Sequence, residues 1–482
     1  MIDTNAIRSK ILLLALQGKL TEQLAEDGNA QELYDDIQKD KCVLLQQGKI
    51  KKEKPLPPIT EKELPFEIPE NWKWIRWGEL SESIQYGYNA PAKSEGKIKM
   101  VRISDIQDGK VMWNEVPYCD IADSEIDQYI LKKNDILFAR TGGTVGKSYI
   151  VSEISEKAVF AGYLIRTSYS VKLCAQYMKY FMESSLYWRQ LQNGTIATAQ
   201  PNCNGKTLSK MIVPLPPYAE QIRIVDMFDS INSLLGTIDE FQNAYEIDKS
   251  ILKDKLIDAG IRGKLAKQFS EDGTAEDLYV EILKEKEELL RAGKIKKEKK
   301  LSEITEKEIP FLIPANWKWV RWGELSQAIQ YGYNAPARQE GRIKMVRISD
   351  IQEGKVKWET VPYCDIDENN IESYLLHEND ILFARTGGTV GKSYIVTDIP
   401  ENSVFAGYLI RTSYSSKLCA KYMKYFMESQ LYWRQLRNGT IATAQPNCNG
   451  QTLSKMILPL PPLKEQQRIV DKIDEILSII EC

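Results

Sequence analysis

Two glycine-rich segments have the residue types of a phosphate-binding loop. Residues 141–148 read TGGTVGKS, and the same letters recur at 386–393. A phosphate loop needs the pattern GxxxxGK[ST], whose backbone amides and lysine bind phosphate oxygens. Here Thr141 stands where the first glycine belongs, and the segment lies between two predicted strands instead of opening a helix. The residues therefore favour a tight glycine hairpin over a nucleotide site.

A second segment, LPPY at 215–218, is similar to the proline–proline–aromatic motif that holds a flipped base in adenine methyltransferases. That motif needs a polar first residue, whereas Leu215 is apolar and the equivalent segment 460–463 ends in leucine. With one histidine and no reactive serine or cysteine motif, a catalytic triad is also unsupported. We expect LPPY to lead into a helix, and the chain to have neither a catalytic site nor a cofactor of its own.

Cysteine spacing argues against a metal site. None of the eight cysteines belongs to a CxxC motif, and a zinc site would need clustered cysteine and histidine. We therefore expect reduced thiols. Six of the cysteines form three pairs with one common spacing, Cys119/Cys364, Cys174/Cys419 and Cys203/Cys448.

That spacing reflects an internal repeat. Residues 72–213 reappear at 317–458 without insertion or deletion, and about four positions in five are identical. The offset of 245 residues also holds outside this block, since GKL at 18–20 recurs at 263–265. The chain is therefore one unit written twice.

Each unit predicts the same order of elements. The first helix is amphipathic, with Ile7, Ile11 and Leu14 on one stripe. The predicted helices of the first unit are 5–17, 30–47 and 172–192, and its predicted loops are 48–63 and 194–204. The clearest predicted strands are 97–106, 134–140 and 147–151. The pattern indicates an α+β domain in which strands dominate.

The pattern changes after residue 213. Apolar residues at alternating steps of four and three, from Ile224 through Leu252 to Ala259, predict a helix from Tyr218 to Arg262. At 1.5 Å per residue this helix is about 65–70 Å long. We expect the N-terminal helix and a C-terminal helix at 463–482 to pack on it together, so that the termini meet. The predicted fold is two strand-dominated α+β domains separated by a long antiparallel two-helix coiled coil, in a circular repeat with a pseudo-two-fold axis.

Four segments resemble the DNA-specificity subunits of type I restriction–modification systems. They are LPLPPLKEQQRIVDKIDEIL at 458–477, LALQGKLTEQL at 14–24, IPENWKWIRWGEL at 68–80 and KNDILFARTGGTVGK at 133–147. The resemblance extends over essentially the whole chain. It implies target-recognition domains at 65–213 and 310–458. It also implies that the helical segments 1–64, 214–309 and 459–482 are conserved regions that bind modification subunits.

The resemblance implies partners as well. They are double-stranded DNA, two methyltransferase subunits, and restriction subunits that translocate DNA. S-adenosylmethionine, ATP and Mg would then be bound by those partner subunits. This chain would position the partner subunits on a bipartite, interrupted site.

Polar, planar or basic side chains on loops of a rigid sheet are the candidates to contact DNA. Four clusters qualify, and each is intact in both copies. Arg102 and Ser104 are expected on one face of the strand 97–106, and Arg140 and Lys147 on the glycine hairpin. The predicted DNA-binding residues of the first copy are Tyr86, Tyr88, Asn89, Arg102, Ser104, Arg140, Thr141, Lys147, Thr198, Gln200 and Asn202. Those of the second copy are Tyr331, Tyr333, Asn334, Arg347, Ser349, Arg385, Thr386, Lys392, Thr443, Gln445 and Asn447.

Structural alternatives exist for these residues. Tyr86 and Tyr88 could be packing residues, and Arg102 could form an internal ion pair with Asp105. The net charge of −3 is unusual for a freestanding DNA binder. We therefore expect local positive charge and partner subunits that supply part of the grip. The charge also leaves open a non-catalytic protein-interaction scaffold with duplicated domains and a coiled-coil rod.

No stretch approaches about 20 uncharged apolar residues, and the N-terminus lacks a signal-peptide cleavage site. We expect a cytoplasmic protein without membrane association.

Overall fold

The chain divides into two units, residues 1–243 and 244–482, and the boundary lies inside one long helix. The structure, a computed structural model, describes residues 1–107, 109–194, 204–352, 354–439 and 448–481. The two units have the same order of helices and strands, as the repeat predicts. The finer domain boundaries drawn from the sequence stay predictions.

The first unit mixes short strands with helices of very different length. Its helices, the last of which continues into the second unit, are α1 Thr4–Leu16, α2 Ala30–Gln46, α3 Trp77–Leu80, α4 Asp123–Tyr129, α5 Ala175–Glu183, α6 Ser185–Gly194, α7 Gly205–Lys210 and α8 Tyr218–Ile261. Its strands are β1 Lys73–Arg76, β2 Ser81–Tyr86, β3 Ile98–Val101, β4 Ile106–Gln107, β5 Lys110–Val111, β6 Tyr118–Cys119, β7 Ile136–Ala139, β8 Ser148–Ile150, β9 Ala158–Phe160, β10 Leu164–Tyr169 and β11 Ile212–Leu215.

The second unit repeats these elements. Its further helices are α9 Ala275–Arg291, α10 Trp322–Leu325, α11 Glu368–Tyr374, α12 Ala420–Glu428, α13 Gln430–Gly439, α14 Gly450–Lys455 and α15 Leu463–Glu481. Its strands are β12 Lys318–Arg321, β13 Ser326–Tyr331, β14 Ile343–Val346, β15 Ile351–Gln352, β16 Lys355–Val356, β17 Tyr363–Cys364, β18 Ile381–Ala384, β19 Ser393–Ile395, β20 Ser403–Phe405, β21 Leu409–Tyr414 and β22 Ile457–Leu460.

Two sheets form the framework of the first unit. The larger is antiparallel with the order β2-β10-β7-β8, and the smaller has the order β6-β3-β9, in which β3 and β9 are parallel. Side chains alternate between the two faces of a strand. Along β7, Ile136 and Phe138 accordingly pack into the main core with α1, α5 and α6, whereas Leu137 packs into a second core. Both faces of the larger sheet are therefore covered, which gives the loops at its ends a rigid base.

In the first unit, α1 lies antiparallel to the first half of α8. Thr4 Oγ1 donates to Asp239 Oδ1 at 2.5 Å, and Arg8 Nε donates to Asn232 Oδ1 at 2.5 Å. The buried apolar side chains of α1 are Leu12, Ala15 and Leu16, whereas Ile7 is exposed. Of the predicted stripe, Ile11 packs against the core and Leu14 is half-buried, whereas Ile7 is exposed. The fully buried residues lie beside this stripe, because α1 contacts both the sheet domain and α8.

In the second unit, the second half of α8 lies antiparallel to α15. The Tyr245 hydroxyl donates to the carbonyl of Ile480 at 2.7 Å, and Ile257 and Ile261 are buried in one core with Ile469 and Ile473. The predicted seam through Leu252 and Ala259 is wrong here, because Leu252 is exposed. This half of α8 is the equivalent of α1 in the second copy of the repeat, and it buries the same face as α1.

Two other predicted elements differ from the structure. The helix predicted at 172–192 is two helices, which break at Ser184. Its hydroxyl donates to the Phe181 carbonyl at 2.6 Å and accepts from the Tyr187 amide at 3.2 Å, so it replaces helical bonds on both sides. The strand predicted at 97–106 ends at Val101, and a turn follows.

Within the described ranges, no helix combines the length and apolar character that crossing a bilayer requires. The cysteines that the structure describes are free thiols, as expected; they are Cys42, Cys119, Cys174, Cys364, Cys419 and Cys448. LPPY leads directly into α8, as expected.

Candidate nucleic-acid interface

One edge of each unit collects the ends of several strands around a short turn. In the first unit this is the turn 161–163 between β9 and β10, which we call the central turn. Its backbone contacts three neighbouring loops: the Ala161 amide donates to the Val101 carbonyl at 2.9 Å, the Gly162 amide to Tyr88 at 2.8 Å, and the Tyr163 carbonyl accepts from the Arg140 amide at 3.2 Å. Three of the four predicted clusters therefore meet at this edge, although they are far apart in sequence.

The fourth predicted cluster lies outside the described residues. Its members are Thr198, Gln200 and Asn202 in the first copy and Thr443, Gln445 and Asn447 in the second. Their DNA contacts stay a prediction.

The glycine-rich segment is a hairpin between β7 and β8, as predicted, and it does not open a helix. Its turn is closed by the Lys147 amide, which donates to the Thr144 carbonyl at 3.0 Å. Gly146 has a φ of +90° and lies against Trp188 and Leu191 of α6. The hairpin is thus anchored on a helix, and it leaves Lys147 exposed and Thr141 half-buried; Lys392 and Thr386 have the same exposure in the second unit.

Arg140 lies flat against a tyrosine at this edge. Its guanidinium carbon is 4.7 Å from the centre of the Tyr86 ring, and the Tyr86 hydroxyl oxygen accepts from the Gly205 amide at 3.1 Å. Arg385, Tyr331 and Gly450 repeat the arrangement at 4.8 Å and 3.1 Å. The Tyr86 ring therefore packs against Arg140, and because Tyr86 is still 40% exposed its DNA contact stays a prediction.

Arg102 does not lie on a strand face with Ser104. Its guanidinium holds the buried carboxylate of Asp105, with Nη2 at 2.7 Å from Oδ1, and this pairing raises the pKa of Arg102. Ser104 Oγ also donates to Asp105, at 3.2 Å. The predicted shared face is therefore wrong, and the internal ion pair is confirmed, because the strand ends at Val101 and a turn brings Asp105 back. The same holds for Arg347 and Ser349 around Asp350.

Tyr88 is a packing residue. Its ring lies 5.2 Å from the ring of Tyr129, and its hydroxyl is 3.5 Å from a carboxylate oxygen of Glu125. Tyr333 packs on Tyr374 in the same way at 5.2 Å. Packing is therefore the role that the structure shows for Tyr88 and Tyr333, and their DNA contacts stay predictions. The neighbouring Asn89 and Asn334 are exposed and stay candidates.

A buried arginine, Arg166, stabilises this edge through hydrogen bonds. Arg166 donates from Nη1 to the Ile130 carbonyl at 2.7 Å and from Nη2 to Gln85 Oε1 at 2.6 Å, next to Tyr86. Its Nη1 is 3.6 Å from Asp135 Oδ2. Burial lowers the pKa of Arg166 and raises the pKa of Asp135, and their mutual attraction opposes both shifts. The pair stabilises the strand that carries Tyr86.

Sequence reasoning missed Tyr163 and Tyr408. Each projects from its central turn and is 65% or 64% exposed, beside the arginine that stacks on a tyrosine. A signal was present, because AGY interrupts an otherwise apolar run, AVFAGYLI, at 158–165. In each unit this tyrosine adds an exposed planar ring to the edge.

The described residues contain no group of three or more histidine, cysteine, aspartate or glutamate side chains placed to hold a metal ion. The groups that the edge presents are an arginine, a lysine, an asparagine and two tyrosines. These are donors and planar rings of the kind that contact bases and phosphates.

A duplicated edge of this composition, on two mixed helix and strand domains, has the donors and planar rings that a nucleic-acid recognition protein needs. Residues 69–244 and 314–482 match the family model described as the type I restriction modification DNA specificity domain. The chain therefore belongs to the type I restriction–modification DNA specificity family, and its function is DNA recognition.

Relatives agree with this assignment. The chain is 25% identical over 532 aligned residues to the specificity subunit of the type I restriction enzyme EcoAI of Escherichia coli. The alignment covers 98% of this chain and 88% of the relative. It is 24% identical over 424 residues to the specificity subunit of MjaVIII of Methanocaldococcus jannaschii, with 86% and 88% covered.

Solved structures share the fold. A chain from a study of assembly and conformational transition of the type I R-M system matches with a TM-score of 0.57 at 17% identity, over 86% of this chain and 93% of that one. The HsdS subunit from Thermoanaerobacter tengcongensis matches with a TM-score of 0.50 at 17% identity, over 87% and 92%.

Proposed function

We propose that this chain directs a type I restriction–modification complex to an interrupted palindrome. The observation that supports this most directly is the identity of the described edge residues in the two units, including Arg140 and Arg385, Tyr86 and Tyr331, and Lys147 and Lys392. Identical reading surfaces select identical bases. If a pseudo-two-fold axis relates them, those bases lie on opposite strands.

We propose the pseudo-two-fold arrangement and the coiled coil from the repeat. In each unit an end helix of the chain lies antiparallel to half of α8, with α1 in the first unit and α15 in the second. Equivalent pairings on one continuous 44-residue helix support a coiled-coil rod that spaces the two half-sites.

We propose that catalysis belongs to partner subunits. These are two methyltransferase subunits bound to the helical regions, with restriction subunits bound to that assembly. S-adenosylmethionine, ATP and Mg would be held by those partners and not by this chain. The proposal is supported by relatives that are named specificity subunits. A DNA target agrees with the cytoplasmic location that we propose for the complex. A stand-alone scaffold is not favoured, because the family model covers both units.

The test is to express the chain with its methyltransferase in a host that lacks other adenine methylation, and to map modified bases across the genome. We expect two half-sites of a few base pairs each, inverted copies of one another around an unread spacer. Two unrelated half-sites, or no modification by a folded complex, would contradict the proposal.

A domain exchange provides the control. Replacing residues 317–458 with a copy of 72–213 makes the two domains identical, and the modified motif should not change. A changed motif would show that differences such as Lys206 against Gln451 alter base selection.

A further inference from the structure

We infer that Arg140 and Arg385 each read a guanine at the same position of the two half-sites, and that Tyr86 and Tyr331 hold them in place to do so. This inference rests on the proposed DNA-reading function and names a base and the residues that select it.

The first step is the position of the guanidinium. Arg140 directly follows β7, and its amide is bonded to the Tyr163 carbonyl of the central turn. Tyr86 ends β2, on the other side of β10. Because both residues lie at ends of one rigid sheet, the backbone positions of ring and guanidinium are fixed before DNA arrives.

The second step is the orientation of the ring. The Tyr86 hydroxyl accepts from the Gly205 amide, so the ring is held by its strand at one end and by α7 at the other. A guanidinium stacked on a fixed ring at 4.7 Å loses little rotational freedom on binding. Tyr86 is therefore a positioning residue for Arg140.

The third step is the freedom of the guanidinium to bind. Arg102 and Arg166 are each paired with an aspartate, at 2.7 and 3.6 Å. Arg140 has no carboxylate partner among the described residues, and its Nε is buried without a hydrogen bond there. In the second unit, Arg385 makes one long contact, from Nη1 to the Gly407 carbonyl at 3.4 Å. The terminal nitrogens are thus the pair that each arginine offers to a ligand.

The fourth step is the base. Two terminal nitrogens of a planar fork match two acceptors side by side, and guanine alone presents O6 and N7 together on its major-groove edge. Lys147 is exposed on the hairpin that begins at Arg140. Its ammonium group is a flexible point charge, which is suited to binding a phosphate and not a base edge. Since Arg385 repeats the geometry, each half-site contains one such guanine.

The experiment uses the full chain in complex with its methyltransferase, on duplexes that carry the mapped motif. Each guanine is replaced in turn by 7-deazaguanine, which lacks N7. With the unaltered chain we expect binding to fall roughly 10- to 100-fold at one guanine in each half, at matching positions. Arg140→Met, which removes the donors and keeps a long side chain, should lose that dependence in one half only, and Arg385→Met in the other.

Three variants separate the roles. Tyr86→Leu should lose the same guanine dependence as Arg140→Met, whereas Tyr86→Phe should keep most of it because the ring remains. Lys147→Ala should weaken binding to all sequences alike and lower the salt dependence by about one phosphate contact. Arg189→Met, at an exposed arginine of α6, is the matched control and should leave the guanine dependence unchanged.

The outcomes distinguish the two proposals. If the unaltered complex modifies no defined motif, the proposed function fails. If the motif is modified but no guanine pair responds to 7-deazaguanine, or if Arg140→Met keeps the full dependence on both guanines, the guanine inference alone is wrong. Because each variant leaves one half-site read by an unaltered unit, residual binding to that half shows that the chain is folded.

Discussion

Arginine side chains in the first unit differ in what holds them. Arg76 is buried and bonded to Glu63, and Arg166 is buried beside Asp135. Removing one partner of such a pair would leave an uncompensated buried charge, so these arginines stabilise the fold. Arg140 lies over an aromatic ring instead and has no carboxylate partner among the described residues. The partner, and not the residue type, separates the arginines that stabilise the fold from the arginine that we propose to read DNA.

Gly146 offers a test of the hairpin. Its φ of +90° suits glycine, and a Cβ there would lie 2.4 Å from Leu191 Cδ2 and 2.6 Å from Trp188 Cζ3. We expect Gly146→Ala to lower the free energy of unfolding of the first unit by about 3 kcal/mol, from backbone strain and overpacking. In urea denaturation followed by tryptophan fluorescence, part of the transition should move to lower urea.

Gly143 is the matched control on the same hairpin. A Cβ at Gly143 would meet nothing within 4 Å, so Gly143→Ala should unfold like the unaltered chain. Equal effects of the two substitutions would mean that the hairpin is not anchored on α6.

The ion pair of Asp27 with Arg223 predicts a dependence of stability on pH. Arg223 Nη1 donates to Asp27 Oδ1 at 2.7 Å, and this bond holds the pKa of Asp27 below its ordinary value of 3.8. Between the folded and unfolded pKa the unfolded chain binds more protons, so the contribution is full above about pH 4 and is lost as the pH falls through the folded pKa. At pH 7 we expect Asp27→Asn to cost about 1 kcal/mol, a value reduced for partial exposure of the pair.

The measurement is the difference in free energy of unfolding between the unaltered chain and Asp27→Asn from pH 7 to pH 2.5. This difference should shrink toward zero at the acid end. Asp272→Asn should behave alike, because Arg468 lowers the pKa of Asp272 in the second unit. A difference that does not vary with pH would show that the pair is not ionised as described.

At the scale of elements, packing decides the face that a helix buries. Ile7 belongs to the most regular apolar stripe of α1 and is exposed, whereas Leu12 and Ala15 are buried. Helical spacing identifies a helix and an apolar side. A second neighbour widens that side, and here the sheet domain and α8 both contact α1.

Two glycines of α8 test the helix pairing. A Cβ at Gly236 would meet nothing within 4 Å, so Gly236→Ala should stabilise the chain by about 0.5–1 kcal/mol through helix propensity alone. A Cβ at Gly260 would lie 2.9 Å from Ile469 Cγ2 and 3.3 Å from Ile473 Cδ1. Gly260→Ala should therefore destabilise, by about 1–2 kcal/mol.

If α15 packs on α8 as described, the urea midpoint of unfolding should rise for Gly236→Ala and fall for Gly260→Ala. Stabilisation by both substitutions would mean that the contact between Gly260 and α15 is absent in solution.

At the scale of the molecule, the boundary between the two units after residue 243 predicts that a chain with the first unit alone can support DNA modification. Residues 1–244 contain α1, one domain and the first half of α8. Two copies could then re-form the proposed rod, and the covalent join would be replaced by association. An intramolecular join is equivalent to an effective concentration on the order of millimolar, so the homodimer should be weaker and concentration-dependent. Co-expressed with the methyltransferase, it should modify the same interrupted palindrome as the full chain.

A fragment of residues 18–244 is the control, because it lacks α1, which packs on the first half of α8 within the same unit. It should lose the helix pairing from which the proposed rod is built, and it should not support modification. If the fragment 1–244 is folded but modifies no DNA, the central helix must be continuous and the circular arrangement is wrong.

The amino-acid sequence by itself determined the features that depend on local pattern. These are the duplication at an offset of 245 residues, the bounds of α2 and α8 to within one residue, the hairpin at 141–148, and the family. A repeat, a helical period and a pair of glycines are all written within a short stretch, so no distant residue is needed to recognise them.

Tertiary structure alone decided the features that depend on residues far apart in sequence. The sequence offered Asp105 as a local partner for Arg102, but nothing in it pairs Arg140 with Tyr86, which lies 54 residues away. The Tyr88 ring packs against the Tyr129 ring, whereas Tyr163 is exposed at the turn between the strands β9 and β10. The physical reason is that burial, pairing and the freedom to bind are properties of a neighbourhood. Only the folded chain assembles that neighbourhood.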